Sequence, residues 1–223
     1  MEGELRVCDP EKSDSTRDIE TWRIFKIMAE FIEGFTLLRK YKLAITFFGS
    51  ARSQLGVKTY TDATELGRRL SESGFAIITG GAAGIMEAAN KGAYEAGGAS
   101  IGLNIRLASE QQVNHYLTES QTYNYFFSRK VMLAFASEAY IFFPGGYGTL
   151  DEFLEILTLS QTHKIKRVPI ILYDKAYWGP LTEFFEEHLL KKYKTISEGD
   201  LDLYHVVDSV DEAYEYILTS VKC

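Results

Sequence analysis

Two spacings of hydrophobic residues alternate along most of the chain. Apolar runs of five or six residues, typical of buried strands, occupy residues 43–48, 75–79, 99–103, 139–143 and 168–173. Between these runs, apolar positions recur at helical spacing, as in Ala63, Leu66 and Leu70. Strands that alternate with helices predict an α/β fold. We expect a Rossmann-like, doubly wound parallel sheet with helices on both faces.

The N-terminal part of the chain precedes this alternation. Residues 1–17 are polar and charged, which predicts a flexible tail ahead of a single domain of residues 18–223. Residues 19–38 predict a long helix with a wide apolar surface, formed by Trp22, Phe25, Met28, Phe31, Ile32, Phe35 and Leu38. Because one sheet face does not cover so wide a surface, we expect part of this helix to contact another subunit.

The composition limits the classes of partner. The chain carries 31 acidic and 24 basic residues, a net charge of −7, whereas proteins that bind duplex nucleic acid usually present a basic face. Two cysteines and four scattered histidines form no cluster with metal-ligand spacing, so we expect neither a metal nor a disulfide framework. Without a signal segment or a long apolar run, the sequence predicts a cytoplasmic protein with no membrane partner.

A glycine-rich turn at residues 144–149 follows the apolar run 139–143 and precedes a helical pattern. Backbone N–H groups in such a turn lie at the positive end of the helix dipole, where they bind anions, most often phosphate. The alternative is a tight connection in which glycine supplies a positive φ. Two adjacent glycines and a third two residues on favour the phosphate site.

Glu152 has two interpretations that the local sequence leaves open. It follows the glycine-rich turn closely enough to act on a ligand bound there. Thr149 and Glu152 also have the spacing of a capping box, in which Thr149 begins the helix and Glu152 bonds back to it.

Other candidates carry weaker signals. Arg129 and Lys130 begin a predicted helix after an aromatic run, and a solvated basic pair is the simpler interpretation. Glu110 lies in a predicted loop of residues 104–126, and loops of that length are often functional, although Glu110 alone reads as a surface residue. Neither glycine turn fits the dinucleotide fingerprint GxGxxG, and the P-loop motif is absent.

The motifs taken together resemble a known family. Residues 144–152 match PGGxGTxxE, and the segments 48–52, 79–81, 84–93 and 129–132 are similar to family segments in the same order. On these segments the chain is identified as a member of the LOG ("Lonely guy") family, and the long first helix resembles its longer bacterial branch. Founding members are cytokinin riboside 5'-monophosphate phosphoribohydrolases, often mislabelled lysine decarboxylases.

The resemblance implies a homo-oligomeric enzyme, a homodimer or a larger assembly with sites at the interface. It would hydrolyse the N-glycosidic bond of a nucleoside 5'-monophosphate without a cofactor, giving free base and ribose 5-phosphate. Arg129 and Glu152 are implied as the catalytic pair. The implied substrate-binding residues are Gly49, Ser50, Gly81, Met86, Asn90, Glu110, Lys130, Gly145, Gly146, Tyr147, Gly148 and Thr149.

The second glycine turn departs from the family pattern. Ala82 and Ala83 stand where the family usually has a third glycine and a proline. We expect the Ala82 methyl group to narrow the approach of a ligand to the backbone and to affect which substrate binds. A non-catalytic nucleotide-binding, sensor or molybdenum-cofactor carrier protein is the alternative function, because carriers resemble this fold. The presence of both Arg129 and Glu152 favours the enzyme.

Overall fold

The computed structural model describes residues 21–52, 56–106 and 113–221. The predicted tail and Glu110 lie outside these ranges. In chain order the elements are α1 (Thr21–Leu38), β1 (Ala44–Phe48), α2 (Val57–Glu72), β2 (Ala76–Thr79), α3 (Ile85–Glu95), β3 (Ser100–Ile105), β4 (Glu119–Tyr123), α4 (Phe126–Phe135), β5 (Ala139–Phe142), α5 (Tyr147–Gln161), β6 (Ile170–Tyr173), α6 (Lys175–Phe184), β7 (His205–Val207) and α7 (Val210–Ser220). A π-helical segment, Phe185–Lys192, continues α6, and a 3-10 helix, Glu198–Leu203, precedes β7.

The strands form one parallel sheet in the order β4-β3-β2-β1-β5-β6-β7. The chain builds outwards from β1 to β4 and then returns to place β5 on the other side of β1. The order therefore reverses between β1 and β5, which is where doubly wound sheets bind ligands at the carboxyl ends of their strands. The predicted fold class is confirmed.

Helices cover both faces of the sheet. Along β1 the side chains alternate, so that Ile45 and Phe47 pack with α2, α3 and α7, whereas Ala44 and Phe48 pack with α1, α4, α5 and α6. All five residues of β1 are buried. Strands buried on both faces explain the continuous apolar runs in the sequence.

Strand β4 corrects the predicted loop of residues 104–126. It pairs in parallel with β3 and has the sequence Glu-Ser-Gln-Thr-Tyr, in which only Tyr123 is fully buried. The pattern of apolar residues did not reveal it because β4 lies at the edge of the sheet, where polar side chains face solvent. Strand β3 also runs to Ile105, two residues beyond the predicted end.

Helix α1 packs on α4 and leaves an apolar surface uncovered. The carboxylate of Glu30 is buried and accepts hydrogen bonds from the backbone N–H of Asn124 at 2.7 Å and from the Ser128 hydroxyl. These contacts fix the start of α4, the helix that carries Arg129. The exposed apolar residues of α1 are Trp22, Ile24, Phe25, Met28, Ile32 and Phe35. No helix in the described ranges is long and apolar enough to cross a membrane.

Helices α2 and α3 approach each other through glycine. A Cβ atom added at Gly92 would lie 2.0 Å from the Thr64 carbonyl oxygen, and one added at Gly67 would lie 2.6 Å from the Ala89 carbonyl oxygen. Both obstacles are backbone atoms, which a side-chain rotation does not relieve. The small residues of α3 thus serve helix–helix contact as well as contact with the sheet.

Gly92→Ala should destabilise the protein by about 1–3 kcal/mol, because the methyl group forces the two backbones apart. Urea unfolding would measure the change. Gly179→Ala in α6 is the matched control, since nothing lies within 4 Å of an added Cβ there. The control should be neutral or stabilising by up to about 1 kcal/mol, the usual gain of alanine over glycine in a helix. Equal stability of the two variants would contradict the close contact.

Candidate active site

A cavity of about 330 Å³ lies at the carboxyl ends of the strands, beside the β1–β5 reversal. This volume is within the range of small-molecule sites. Its walls come from the turns after β1, β2 and β5, the end of β3 and the start of α4. The lining residues are Phe48, Gly49, Ser50, Ala51, Arg52, Gly80, Met86, Ile105, Phe126, Arg129, Gly146, Gly148, Thr149, Asp151 and Glu152.

Helix α5 opens into this cavity with an uncapped N-terminus. Gly146 is the N-cap residue, and within the described ranges no side chain bonds to the N–H groups of the first turn. Neither Gly146 nor Gly148 has a positive φ, and a Cβ atom added at either would meet open space. The tight-turn alternative for these glycines is therefore wrong. Because these two residues have no side chain, a ligand can reach the backbone there.

The capping-box interpretation of Glu152 is also wrong. Because α5 begins at Tyr147, Thr149 is its third residue and does not occupy the cap position. Glu152 instead lies one turn further into the helix, 8% exposed, with its Oε2 atom lacking a hydrogen-bond partner among the described residues. A buried carboxylate oxygen without a partner is costly. It lines the cavity and is available to a ligand there.

The surroundings of Glu152 raise the pKa of its carboxyl group above the value in water. Burial raises the pKa of Glu152 to about 7, while the positive charges of Lys130 and Arg129 act in the opposite direction and the negative charges of Glu155 and Asp151 add to the rise. Burial dominates because the charged form loses its hydration. Glu152 therefore changes its charge close to neutral pH.

Arg129 is held rigidly beneath the cavity surface. Its Nε–H donates to the Leu103 carbonyl oxygen at 2.8 Å, and a Cβ atom added at Gly80 would lie 2.2 Å from its guanidinium Nη2 atom. The second turn thus needs glycine at residue 80 to admit the guanidinium. Burial lowers the pKa of Arg129, and the negative charge of Glu152 offsets only part of this effect. Arginine stays protonated under such shifts, so a fixed cation faces the ligand space.

Lys130 lies beside the site and is paired. Its ammonium group is 2.7 Å from Asp151 Oδ2 and 3.1 Å from Glu155 Oε2, which ties α4 to α5. Burial opposes its charge, but the hydrogen bond that it donates to Asp151 and its ion pair with Glu155 give a net rise in the pKa of Lys130. Lys130 does not line the cavity, but its positive charge acts to lower the pKa of Glu152, which does.

A buried polar network supports the second glycine turn. The Asn90 side chain accepts from the Thr79 hydroxyl at 2.5 Å and donates to the Ser100 hydroxyl at 2.8 Å. Asn114 donates to Asn90 and to the Ala82 carbonyl oxygen, both at 3.1 Å. Asn90 therefore stabilises the second glycine turn without lining the cavity itself.

The turn itself explains Gly81, Ala82 and Ala83. Gly81 has a φ of +69°, and a Cβ atom there would lie 1.8 Å from Asn104 Oδ1, so glycine is required for structure. Ala82 is buried at 2% exposure and neither alanine lines the cavity. The expectation that Ala82 narrows the approach of a ligand is wrong, because its methyl group is directed into the protein.

Eight of the residues proposed from the sequence line the cavity together: Gly49, Ser50, Met86, Arg129, Gly146, Gly148, Thr149 and Glu152. Five lie around it without lining it: Gly81, Asn90, Lys130, Gly145 and Tyr147. Glu110 falls outside the described residues. Sequence reasoning missed Arg52 and Phe126 at the cavity wall and Glu30 behind α4. Arg52 ends a motif already recognised, whereas Glu30 had no signal, because an acidic residue in an amphipathic helix normally faces solvent.

The raised pKa of Glu152 predicts how stability depends on pH. Below pH 4.5 the carboxyl is protonated in both the folded and the unfolded chain; between 4.5 and about 7 only the unfolded chain releases the proton. The free energy of unfolding therefore falls by about 3 kcal/mol in total as pH rises through this window. Glu152→Gln should match the wild type at pH 4 and exceed it by up to that amount at pH 8.

Urea unfolding at pH 4, 6 and 8 would test this dependence. Glu183→Gln, at an exposed position of α6, is the matched control and should follow the wild type throughout. If E152Q and the wild type keep the same difference in stability at all three pH values, the pKa of Glu152 is not raised by burial.

Comparisons with known proteins agree with the motifs. A family model described as "Possible lysine decarboxylase" matches residues 86–217. The cytokinin riboside 5'-monophosphate phosphoribohydrolase of Rhodococcoides fascians is 30% identical over 155 residues, which are 68% of this chain and 78% of that protein. The rice (Oryza sativa) phosphoribohydrolase LOG is 27% identical over 184 residues, 80% of this chain and 72% of that one.

Among solved structures, the molybdenum cofactor carrier protein of Chlamydomonas reinhardtii aligns with a TM-score of 0.60 at 23% identity, over 80% of this chain and 99% of the carrier. That likeness shows the shared Rossmann-like fold. The family model covers more than half of the chain, and the bacterial relative matches most of its own length. The chain belongs to the LOG family, to which the "Possible lysine decarboxylase" model refers.

Proposed function

We propose that the protein is a phosphoribohydrolase that cleaves the N-glycosidic bond of a nucleoside 5'-monophosphate, such as AMP or a cytokinin riboside monophosphate. The products are the free base and ribose 5-phosphate. The names of its relatives support this class of reaction. The observation that carries the proposal is the uncapped N-terminus of α5, which opens into the same cavity as Arg129 and Glu152.

In this proposal the first turn of α5 binds the 5'-phosphate. The backbone N–H groups of Gly146, Tyr147 and Gly148 lie at the positive end of a 15-residue helix. Thr149 lines the cavity, but its N–H already donates to the Gly146 carbonyl oxygen at 3.0 Å. Gly145 lies behind them, where a Cβ atom would be 2.1 Å from Thr149 Oγ1. The absence of side chains at Gly146 and Gly148 lets phosphate oxygens reach the backbone.

Glu152 and Arg129 act on the ribose and the base. As the glycosidic bond breaks, its electron pair leaves with the base and positive charge develops on the sugar ring. The carboxylate of Glu152, one helical turn from the phosphate site, stabilises that charge, and Arg129 stabilises the phosphate or the departing base. Water supplies a hydroxyl to the sugar carbon and a proton to the base, so the reaction balances without a metal or a cofactor.

The opposite wall of the cavity would contact the nucleoside. Gly49, Ser50 and Met86 line it, and Glu110 and Lys130 are assigned nearby by the family resemblance alone. Gly81 and Asn90 contribute by shaping the turn.

We also propose a cytoplasmic location, consistent with a nucleotide substrate. Nucleic acid is not a partner in this proposal, since the net charge is −7.

A homodimer or larger homo-oligomer completes the proposal. Helix α1 packs on α4, and Phe126, Phe127 and Phe135 of α4 are also 50–56% exposed. Phe126 also lines the cavity. A second copy that covers the exposed apolar residues of both helices would reach the mouth of the site at Phe126, which supports an active site at the interface. An uncovered apolar surface of this kind is typical of a protein-binding face.

Glu152→Gln should keep the fold and lower the rate of adenine release from AMP by about a hundredfold or more, because a neutral amide does not stabilise the sugar cation. Chromatographic detection of free adenine would measure it, and E183Q again serves as the control. Activity that survives within a few-fold would exclude the catalytic role. Absence of base release from AMP, CMP, GMP and an isopentenyl-adenine nucleotide in the wild type would favour the nucleotide- or molybdenum-cofactor-binding alternative.

The value of kcat/KM for AMP should rise with pH and level off above about pH 7, since the ionised form of Glu152 is the active one and burial raises its pKa to about 7 in the free protein. A rate that falls through the same range would show that the protonated carboxyl acts instead, as a proton donor to the base.

Ile32→Glu should dissociate the oligomer, because it places a charge within the exposed apolar surface of α1, where Ile32 is 64% exposed. Light scattering after size-exclusion chromatography would give the mass of each species. Leu218→Glu adds the same charge on α7, on the other face of the sheet, and should leave the assembly intact. A wild-type protein of monomeric mass would refute the proposed assembly.

A further inference from the structure

The hydroxyl group of Tyr177 contacts the back of the glycine-rich turn. Tyr177 lies in the first turn of α6, and its hydroxyl donates a hydrogen bond of 2.6 Å to the carbonyl oxygen of Gly145. Tyr177 does not line the cavity. Its contact therefore reaches the turn from outside the cavity.

We propose that Tyr177 is a positioning residue for phosphate recognition, which fixes the peptide group between Gly145 and Gly146 so that the Gly146 N–H faces the bound anion. This inference rests on the proposed function, because it refines the phosphate site of that reaction.

The geometry of a trans peptide group carries the argument. The described residues contain no cis peptide bond, and in a trans peptide the C=O and N–H bonds point in opposite directions. With the Gly145 carbonyl directed at α6, the Gly146 N–H is directed away from α6. Gly146 is also the residue of this pair that lines the cavity.

Without such a contact, glycine leaves the orientation of this peptide open. Two consecutive glycines have few steric limits on φ and ψ, so the peptide group between them can rotate. A rotated group would present its carbonyl oxygen, and hence a partial negative charge, to the phosphate. The hydroxyl of Tyr177 holds the orientation that presents the N–H before the ligand arrives.

Neighbouring carbonyl groups are held in the same manner. The indole N–H of Trp178 donates to the Phe142 carbonyl oxygen, and the Ser50 N–H donates to the Pro144 carbonyl oxygen, both at 3.1 Å. Tyr177 and Trp178 thus fix the end of β5 and the turn that follows it from adjacent positions in α6. The bond from Tyr177 is the one nearest to the N-terminus of α5.

The position of Tyr177 is itself set by a rigid corner. Asp174 precedes α6 with a φ of +90°, a strained conformation for a residue other than glycine. Its carboxylate accepts from the Tyr177 N–H at 3.1 Å, and its own N–H donates to the Val207 carbonyl oxygen at 2.8 Å. The Tyr177 ring packs edge-on against Trp178, with ring centroids 5.0 Å apart. The hydroxyl is therefore presented from a fixed backbone.

Tyr177→Phe tests the inference because it removes the hydroxyl and keeps the ring. The side chain is 37% exposed, so the variant should fold, and its melting temperature would verify this. Calorimetric titration should show ribose 5-phosphate and inorganic phosphate binding on the order of fivefold more weakly, the usual effect of one hydrogen bond. Adenosine, which has no phosphate, should bind as to the wild type. The KM for AMP should rise by the same factor while kcat stays within about twofold.

Tyr193→Phe is the matched control. It removes the same oxygen from an exposed tyrosine beyond the π-helical segment, and it should behave as the wild type in every assay. Unchanged phosphate binding by Y177F, or an equal loss of adenosine binding, would overturn the inference, as would a wild type that binds neither phosphate nor ribose 5-phosphate. A wild type that binds phosphate but releases no base would refute the proposed function alone, and the loss of phosphate affinity in Y177F would still support the positioning role.

Discussion

The N–H groups at the start of α5 are the constraint on which the site depends. A helix begins with N–H groups that have no partner within the helix, and most helices satisfy some of them with a polar side chain at the N-cap. Here the N-cap is Gly146, which has no side chain. The sheet topology places these groups at the β1–β5 reversal, where the turn after β1 forms the facing wall. In the part of the chain that the structure describes, the fold thus leaves these N–H groups without a side-chain partner.

The charges around the cavity follow from the same arrangement. Glu152 is buried because it lies on the inner side of α5, one turn from the N-terminus of that helix, and its neighbours Arg129 and Lys130 come from α4. Helix α4 is itself anchored through its first turn by the buried carboxylate of Glu30 on α1. The relative placement of the acidic and basic groups therefore depends on a contact between two helices outside the cavity.

The fold was readable from the sequence because its central strands are buried on both faces. Runs such as residues 139–143 have no polar alternation, and this is the pattern that parallel strands produce. Strand β4 was not readable, since an edge strand with polar side chains resembles a loop. The glycine turn and Glu152 were identified as candidates, but the local pattern also fitted a capping box. The start of α5 at Tyr147 excludes the capping box. Contacts across the chain, such as those of Glu30 and Tyr177, leave no local pattern and need the three-dimensional structure.

The polar character of the edge strands has a consequence for how copies of the protein associate. Open sheet edges can recruit strands from other molecules and lead to fibrils or aggregates. At one edge, β4 carries Glu119, which bonds to Lys40 and Tyr41, and its outer positions are hydrophilic. At the other edge, β7 has only three residues, His205–Val207. Both borders thus resist the addition of further strands, and growth of the sheet from one molecule into the next is disfavoured. Copies of the protein would therefore associate through the helices that cover the sheet. This arrangement protects the apolar, aggregation-prone strands from pairing with those of another molecule.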